Sequence, residues 1–281
     1  MTAGALVLVA TPIGNLGDLT ARAVDTLREA DVIAAEDTRR TRTLLAHARI
    51  PAAGRLRALH AHNERATAPD LVELVRDGKR VAYVTDAGMP GVSDPGAVLV
   101  RAVLDAGLAV EVVPGASALL TALVLSGLPT DRFAFEGFLP RKGPERRARL
   151  GAIGGDDRTT VLFESPRRVA ATLRDLADAC GDDRPVAVAR ELTKLHEEVW
   201  RGTVGEARDW SERKGEHVIV VGPAPPATTP APTGDEIDAA LLAELGAGAS
   251  ARDAAAAVAA SLGIARRAAY DRAVALRRRA P

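Results

Sequence analysis

Three short segments of this 281-residue chain concentrate the residue types that bring main chain close to a polar ligand. Residues 11–18 (TPIGNLGD), 85–96 (TDAGMPGVSDPG) and 113–123 (VPGASALLTAL) each follow an apolar, strand-like run. In the first, Gly14 and Gly17 allow close backbone approach, because no Cβ intervenes. The second packs three Gly, two Pro, two Asp and one Ser into twelve residues. Proline fixes φ and glycine permits φ > 0, so this loop has a rigid, unusual path. Its Ser93 and Asp94 also suit the cap of a following helix. In the third, Pro114 and Gly115 bend the chain and Ser117 stands where a helix opens. An ordinary connection accounts for any one of them. Three at the ends of successive strands define one rim of one sheet, the place where open α/β sheets bind ligands. Neither GxGxxG nor GxxxxGK[ST] occurs, so dinucleotide and phosphate-loop assignments have little support.

Proton-transfer candidates flank the same rim. Glu36 and Asp37 end one strand, and His60, His62 and Glu64 surround another strand end. Glu36, Asp37 and His60 are the candidate catalytic residues. The competing reading makes Glu36 and Asp37 a helix cap paired with Arg39 or Arg40, and His60 and His62 a surface pair. Two histidines without a third ligand do not make a metal centre, so no metal site is expected.

Basic residues cluster in three places. Arg39, Arg40 and Arg42 form the first cluster, and Arg141, Lys142, Arg146, Arg147 and Arg149 the second. Arg266, Arg267, Arg272, Arg277, Arg278 and Arg279 face only Asp271 in the third. Each could be a solvated helix face. With 37 basic and 37 acidic residues the chain has zero formal net charge, so local patterning accounts better for three clusters. RNA contact needs such local charge. Arg39, Arg40, Arg42, Arg141 and Lys142 are the primary candidates.

Alternating strand-like and helix-like runs must position these groups. Strands are expected at 5–10, 32–35, 55–61, 81–85 and 110–113, with helices at 19–30, 41–48, 71–76, 97–106 and 118–126. That alternation predicts an α/β fold with a mainly parallel sheet. A break over 127–140 holds Pro129, Gly137 and Pro140. Strands at 159–165, 185–192, 197–204 and 217–222 and a helix at 169–179 then predict a mixed sheet. The domains expected are 1–127, 128–222, a Pro-rich linker 223–234 and a helical tail 235–281. In the tail Ser250 is the expected N-cap and Gly263 the turn before a last helix at 265–279, resembling a helix-turn-helix.

Composition narrows the class. Hydrophobic residues reach 47% and aromatics only 3%, so Ala, Val and Leu fill the core. No apolar run reaches the roughly 20 residues that span a bilayer. The first residues lack the pattern of a signal peptide, and a cytoplasmic protein is expected. Cys180, the one cysteine, ends an amphipathic helical pattern and reads as a structural thiol.

Six segments carry a resemblance: 8–20, 34–45, 85–96, 113–119, FLPRKG (138–143) and FESPRR (163–168). In this order they resemble the ribosomal RNA small subunit methyltransferase I family, within the tetrapyrrole methylase superfamily. The similarity spans about residues 5–222. It implies two α/β domains with S-adenosylmethionine in the cleft between them. The implied reaction is 2′-O-methylation of a cytidine in the decoding region of 16S rRNA, on the small ribosomal subunit, by a homodimer. By the same resemblance Pro12 and Gly14 fall in the first cofactor loop, and Asp86, Gly88 and Met89 in the second. Ser117 and Ala118 fall in the third, and Phe163 and Leu192 on the domain that closes over the adenosine. Where the superfamily often has Gly-Asp-Pro, this chain has Thr85-Asp86-Ala87, as in the rRNA branch. Two alternatives remain: a corrin or porphyrin C-methyltransferase, which leaves the Arg clusters unexplained, and a non-catalytic RNA-binding protein, which leaves the three loops unexplained.

Overall fold

The computed structural model describes residues 4–210, 214–226 and 232–279, with side chains through Arg277. Arg278, Arg279 and the centre of the expected linker therefore lie outside the described side chains and residues. The chain divides into two compact units, Met1–Ala224 and Pro225–Pro281.

The first unit opens with β1 (Ala5–Val9), α1 (Ala21–Glu29), β2 (Val32–Ala35), α2 (Thr38–His47) and β3 (Leu56–Ala58). It continues with α3 (Glu64–Arg76), β4 (Arg80–Val84), α4 (Ala97–Asp105), β5 (Ala109–Val113) and α5 (Ala118–Ser126). The five strands form a wholly parallel sheet in the order β3-β2-β4-β1-β5. Strand alternation divides its side chains between two cores. Val7, Val9, Ile33, Ala35 and Val84 pack with Leu27 and Leu45 of α1 and α2. Leu6, Leu8, Ala34, Val81 and Tyr83 pack with Leu71, Leu99 and Val103 of α3 and α4. Being covered on both faces, β1, β2 and β4 read as nearly unbroken apolar runs, whereas the edge strands β3 and β5 keep exposed residues.

A second sheet follows, built from β6 (Phe133–Phe138), β7 (Thr159–Glu164), β8 (Pro185–Arg190), β9 (Glu198–Thr203) and β10 (His217–Val221). Its order is β6-β7-β10-β8-β9. Only β6 and β7 run parallel, so the sheet is mixed, as the half-exposed pattern of β9 predicts. Helices α6 (Pro144–Gly155) and α7 (Val169–Cys180) cover one face through Leu150, Ile153, Leu173 and Leu176. The other face takes Leu119, Ala122 and Leu123 of α5, which pack with Val161, Ala187, Ala189 and Val220. Helix α5 thus leaves the rim of one sheet and buries itself in the core of the other.

Two elements, β6 and α6, are absent from the sequence reading, α3 begins seven residues before the helix expected at 71–76, and β3 is shorter than the strand expected at 55–61. The expected break contains β6, whose ladder to β7 shifts register between Phe135 and Gly137. A bulge there explains why Gly137 masks the strand. The second basic cluster lies mostly on α6, which Pro144 opens at its first turn. Cys180 is half-buried and burial raises its thiol pKa, as suits a structural role.

The second unit holds α8 (Gly234–Gly246), α9 (Ala251–Leu262) and α10 (Arg266–Arg279). Ser250 caps α9 by accepting from the Asp253 N–H, and Gly263 ends it at φ 64°. Leu241, Ala254, Val258 and Ala273 form its small core. Among the described residues, no helix is long and apolar enough to cross a membrane.

Candidate active site

The parallel strand order fixes the order of chemistry along one rim. Reading across the carboxyl ends, the His60 segment follows β3, Glu36 and Asp37 follow β2, and Asp86 follows β4. The first loop follows β1, and the third follows β5. Adjacent loops are tied to each other. Thr11 and Gly88 exchange main-chain hydrogen bonds of 2.9 and 3.1 Å, joining the first two loops. The Thr11 hydroxyl donates to the Thr85 carbonyl at 3.1 Å. A Cβ at Gly88 would lie 3.4 Å from Ile13 Cγ2 and 3.7 Å from the Ala116 carbonyl, so all three loops converge at this point.

A cavity of about 320 Å³ opens on this rim. Thr11, Pro12, Gly14, Thr85 and Asp86 line its floor, and Arg40, Thr41 and Leu44 of α2 form one wall. Lys194 and Glu216 bring in the second-sheet half of the unit. Both were missed by sequence reasoning, and no local pattern marks them. The segment bearing Lys194 connects β8 to β9 and lies directly over the first loop. Thr193 Oγ1 accepts from the Asn15 N–H at 3.1 Å, and a Cβ on Gly14 would come within 2.5 Å of Lys194 Cγ. Gly14 is therefore required by the strap above it. Thr193 adopts φ 66°, a left-handed conformation that a β-branched residue rarely takes. Glu197 holds it by accepting from its N–H at 2.6 Å. Lys194 Nζ pairs with Glu191 at 2.9 Å and Glu216 at 2.8 Å. Burial pulls the ammonium pKa down, but these carboxylates outweigh it and the pKa is raised.

Asp86 sits at the centre. Its N–H donates to Glu36 Oε2 at 3.2 Å, and its Oδ2 lies 3.3 Å from Arg40. Its Oδ1 is buried without a hydrogen-bond partner. Burial raises the Asp86 pKa, opposed by Arg40. Asp94, further along the same loop, rises to about 7 through burial and then through Glu36 and Asp86. A buried acceptor lacking a donor, beside glycines that admit close approach, fits a polar ligand bearing hydrogen-bond donors.

The remaining predicted residues fall around this centre in different ways. Asp37 caps α2 by accepting from the Arg39 N–H at 2.8 Å and pairs with the Arg39 side chain at 3.0 Å. The hydrogen bond from Arg39 lowers its pKa to about 2. His60 Nδ1 is buried without a partner, and the His60 and His62 rings meet edge-on at 6.0 Å. Glu64 is no proton acceptor for a substrate. Its Oε1 accepts from the N–H groups of Gly96, Val98 and Leu99 at 2.9, 2.9 and 3.0 Å, capping α4 from α3. Neither Ser93 nor Asp94 is the N-cap there; Gly96 is, at φ 129°, and a Cβ would strike Tyr83 at 2.8 Å.

Ser117 caps α5 by accepting from the Leu120 N–H at 3.4 Å, and Ala118 begins that helix half-buried. Met89 is half-buried in the second loop. Phe163 packs edge-on against Phe135 at 4.9 Å and Phe138 at 5.8 Å. Leu192 is buried beside Ile13 in the core shared by the two halves. Gly88, Met89, Ser117, Ala118, Phe163 and Leu192 all lie off the cavity lining.

The arginines also separate. Arg39 and Arg40 are exposed yet paired, whereas Arg42 is exposed and has no partner among the described residues. Arg141, Lys142 and Arg147 are exposed and have no ion-pair partner among the described residues. Arg146 is buried and structural, bonded to Asp175 at 2.6 Å, Thr172 and the Pro140 carbonyl. Arg149 pairs with Glu136 at 2.8 Å. In the tail, Arg272 is tied to Asp238. Among the described residues, no group of histidine, cysteine and carboxylate side chains is placed to hold a metal ion.

Comparison with known proteins accords with this geometry. Residues 5–208 match the family model described as Tetrapyrrole (Corrin/Porphyrin) Methylases. A Thermotoga maritima protein named ribosomal RNA small subunit methyltransferase I is 48% identical over 221 residues, 78% of this chain and 98% of the relative. Proteins of the same name are 51% identical in Xylella fastidiosa and 47% identical in Synechocystis. These alignments cover 78% and 81% of this chain, and 82% of each relative. The crystal structure of uroporphyrin-III-C-methyltransferase from Thermus thermophilus superposes with a TM-score of 0.54 at 25% identity, covering 78% of this chain and 94% of that one. A cobalt precorrin-4 methyltransferase structure superposes with a TM-score of 0.59 at 21% identity, covering 78% and 94%, and shares the fold. The chain belongs to the tetrapyrrole methylase family and, within it, to the family of ribosomal RNA small subunit methyltransferase I proteins.

Proposed function

We propose that this chain is a methyltransferase that uses S-adenosylmethionine to methylate the 2′-oxygen of a cytidine ribose in the decoding region of 16S rRNA. The observation that carries the reading is the rim cavity, where Pro12, Gly14 and Asp86 meet Lys194 and Glu216. The names of relatives at 47–51% identity support the acceptor class. We place the cofactor on the three rim loops, with Pro12, Gly14, Asp86, Gly88, Met89, Ser117 and Ala118 forming the loop surface. Phe163 of β7 and Leu192, in the segment between β8 and β9, bound it from the other half. The unpartnered Asp86 Oδ1 fits this group, since it can accept from a hydroxyl or amine of the ligand.

When bound, the sulfonium supplies an activated methyl group. The protein must align the acceptor oxygen with it and keep water out. Arg39, Arg40 and Arg42 on α2, with Arg141 and Lys142, supply positive charge for rRNA phosphates. For the proton on the ribose hydroxyl, Glu36 and His60 are the favoured acceptors. Asp37 is less suited, because Arg39 holds it near 2 and a carboxylate so stabilised is a poor base. The setting proposed is the bacterial cytoplasm, with the small subunit as partner and a homodimer as the active form.

The test is methyl transfer from isotopically labelled S-adenosylmethionine to unmodified small subunits, free 16S rRNA and a porphyrin precursor. Mass mapping of the rRNA then locates the product. Label on a cytidine 2′-oxygen is the expected result. Label only on the porphyrin would overturn the proposal.

A further inference from the structure

The second unit contains a cavity that the proposed chemistry does not use. It measures about 370 Å³ and is lined by Arg252 and Ala255 of α9 and by Arg266, Arg267 and Tyr270 of α10. That volume lies within the roughly 300–1,000 Å³ of small-ligand sites. Among the described residues, no carboxylate lines it. None of the three arginines forms an ion pair or side-chain hydrogen bond among those described residues, and all three are exposed. Arg272, one turn further along α10, shows the other arrangement, locked to Asp238 of α8. Asp271 is exposed nearby and stays outside the lining. Three guanidinium groups thus line one hollow with no carboxylate beside them among its lining residues. Such an arrangement suits an anion that several forked donors grip together.

Tyr270 decides what kind of anion. The residue is 44% exposed, in a chain where aromatics make up only 3% of residues. An exposed ring beside phosphate-binding cations offers a stacking platform for an unpaired base. A duplex keeps its bases stacked inside and presents only their edges, so it gains nothing from a ring in a hollow. We infer that this cavity binds one nucleotide step of single-stranded RNA. Arg252, Arg266 and Arg267 take the phosphate, and Tyr270 stacks on the base. The choice of RNA over other single strands rests on the proposed rRNA acceptor; the cavity chemistry stands apart from it.

The test uses the full chain and a fluorescein-labelled 12-nucleotide single-stranded RNA, read by anisotropy across a salt series. A DNA duplex of equal length serves as the comparison. The variant Arg252→Ala/Arg266→Ala/Arg267→Ala should lose at least about tenfold in affinity, and its log–log salt slope should flatten by at least about 0.7, the value for one single-strand phosphate contact. The matching Arg→Lys triple should retain the slope. Tyr270→Ala should weaken binding without changing the slope, and Tyr270→Phe should bind like the parent. The affinity for S-adenosylmethionine and the thermal midpoint should not move, since these side chains are exposed. Parental affinity and slope in the Ala triple would overturn the subsite, even with rRNA methylation intact. Tighter binding of the duplex would overturn the single-strand assignment. A parent that grips the strand here yet methylates no rRNA would instead overturn the acceptor proposal and leave the subsite standing.

Discussion

Replacing Glu64 tests whether the loop after β4 is held by helix capping. One buried carboxylate oxygen accepts from three N–H groups at the start of α4, two of them on the buried residues Gly96 and Leu99. A hydrogen bond to a charged acceptor contributes about 1.5–3 kcal/mol, and a neutral one about 0.5–1.5 kcal/mol. Glu64→Gln keeps an acceptor of the same reach and loses the charge assistance. Since the three bonds share one oxygen, their losses do not add fully, and the expected cost is about 1–2 kcal/mol. Glu64→Ala strands two buried donors and leaves a gap between α3 and α4. Its expected cost is about 3–5 kcal/mol. At roughly 2–4 °C per kcal/mol for a domain of this size, the Ala variant should melt about 10 °C below the parent. The Gln variant should fall between them. Hydrogen exchange localises the effect: the Gly96, Val98 and Leu99 amides should lose protection before those of β4. If Glu64→Ala melted with the parent and those amides kept their protection, the capping account would be wrong. A loss of methyl transfer in Glu64→Gln with stability unchanged would return Glu64 to the catalytic candidates.

Three further expectations follow from the rim. Asp86→Ala should weaken S-adenosylmethionine binding by about 1.5–3 kcal/mol in calorimetry, more than Glu36→Ala, and equal dissociation constants for the Asp86 variant and parent would defeat the assignment. Asp94 carries a pKa raised to about 7, so the folded protein holds a proton there that the unfolded chain releases near 4. Its contribution to stability is present below pH 4 and declines as pH rises towards 7; Asp94→Asn should therefore gain stability over the parent at pH 8 and not at pH 3.5 in paired melting curves. Arg42→Ala and Arg39→Ala should flatten the salt dependence of subunit binding by roughly 0.7–0.9 per phosphate contact while cofactor affinity holds. Arg40 is a poorer probe because it also pairs with Asp86.

The parallel sheet was legible because strands covered on both faces become apolar runs, and the intervening helices keep their periodicity. The ligand rim was legible because Pro12, Gly14, Gly88 and Gly115 occur where backbone must bend or approach. What sequence could not reveal depends on distant partners. The role of Glu64 follows from the packing of α3 on α4. Lys194 reaches the cavity through a strap more than 170 residues from Gly14. Arg146 and Arg42 look alike in a charge count, yet one is buried against Asp175 and the other is exposed. Strand β6 escaped notice because its bulge interrupts the alternation on which strand reading depends.

Helix α5 has a mechanical consequence. Its first residue stands at the third loop, while Leu119, Ala122 and Leu123 are embedded in the core of the second sheet. The Asn15–Thr193 hydrogen bond ties the same two bodies at the first loop. One attachment is a packed lever; the other joins a polar latch to the smaller apolar contact of Ile13 with Leu192. The gap between the sheets is therefore calibrated by side-chain volume under α5, as a shim sets the opening of a jaw. Enlarging Ala122 by a methylene or two would wedge the lever and splay the jaw at the latch. The size of ligand admitted would then change without any alteration to a residue that touches it.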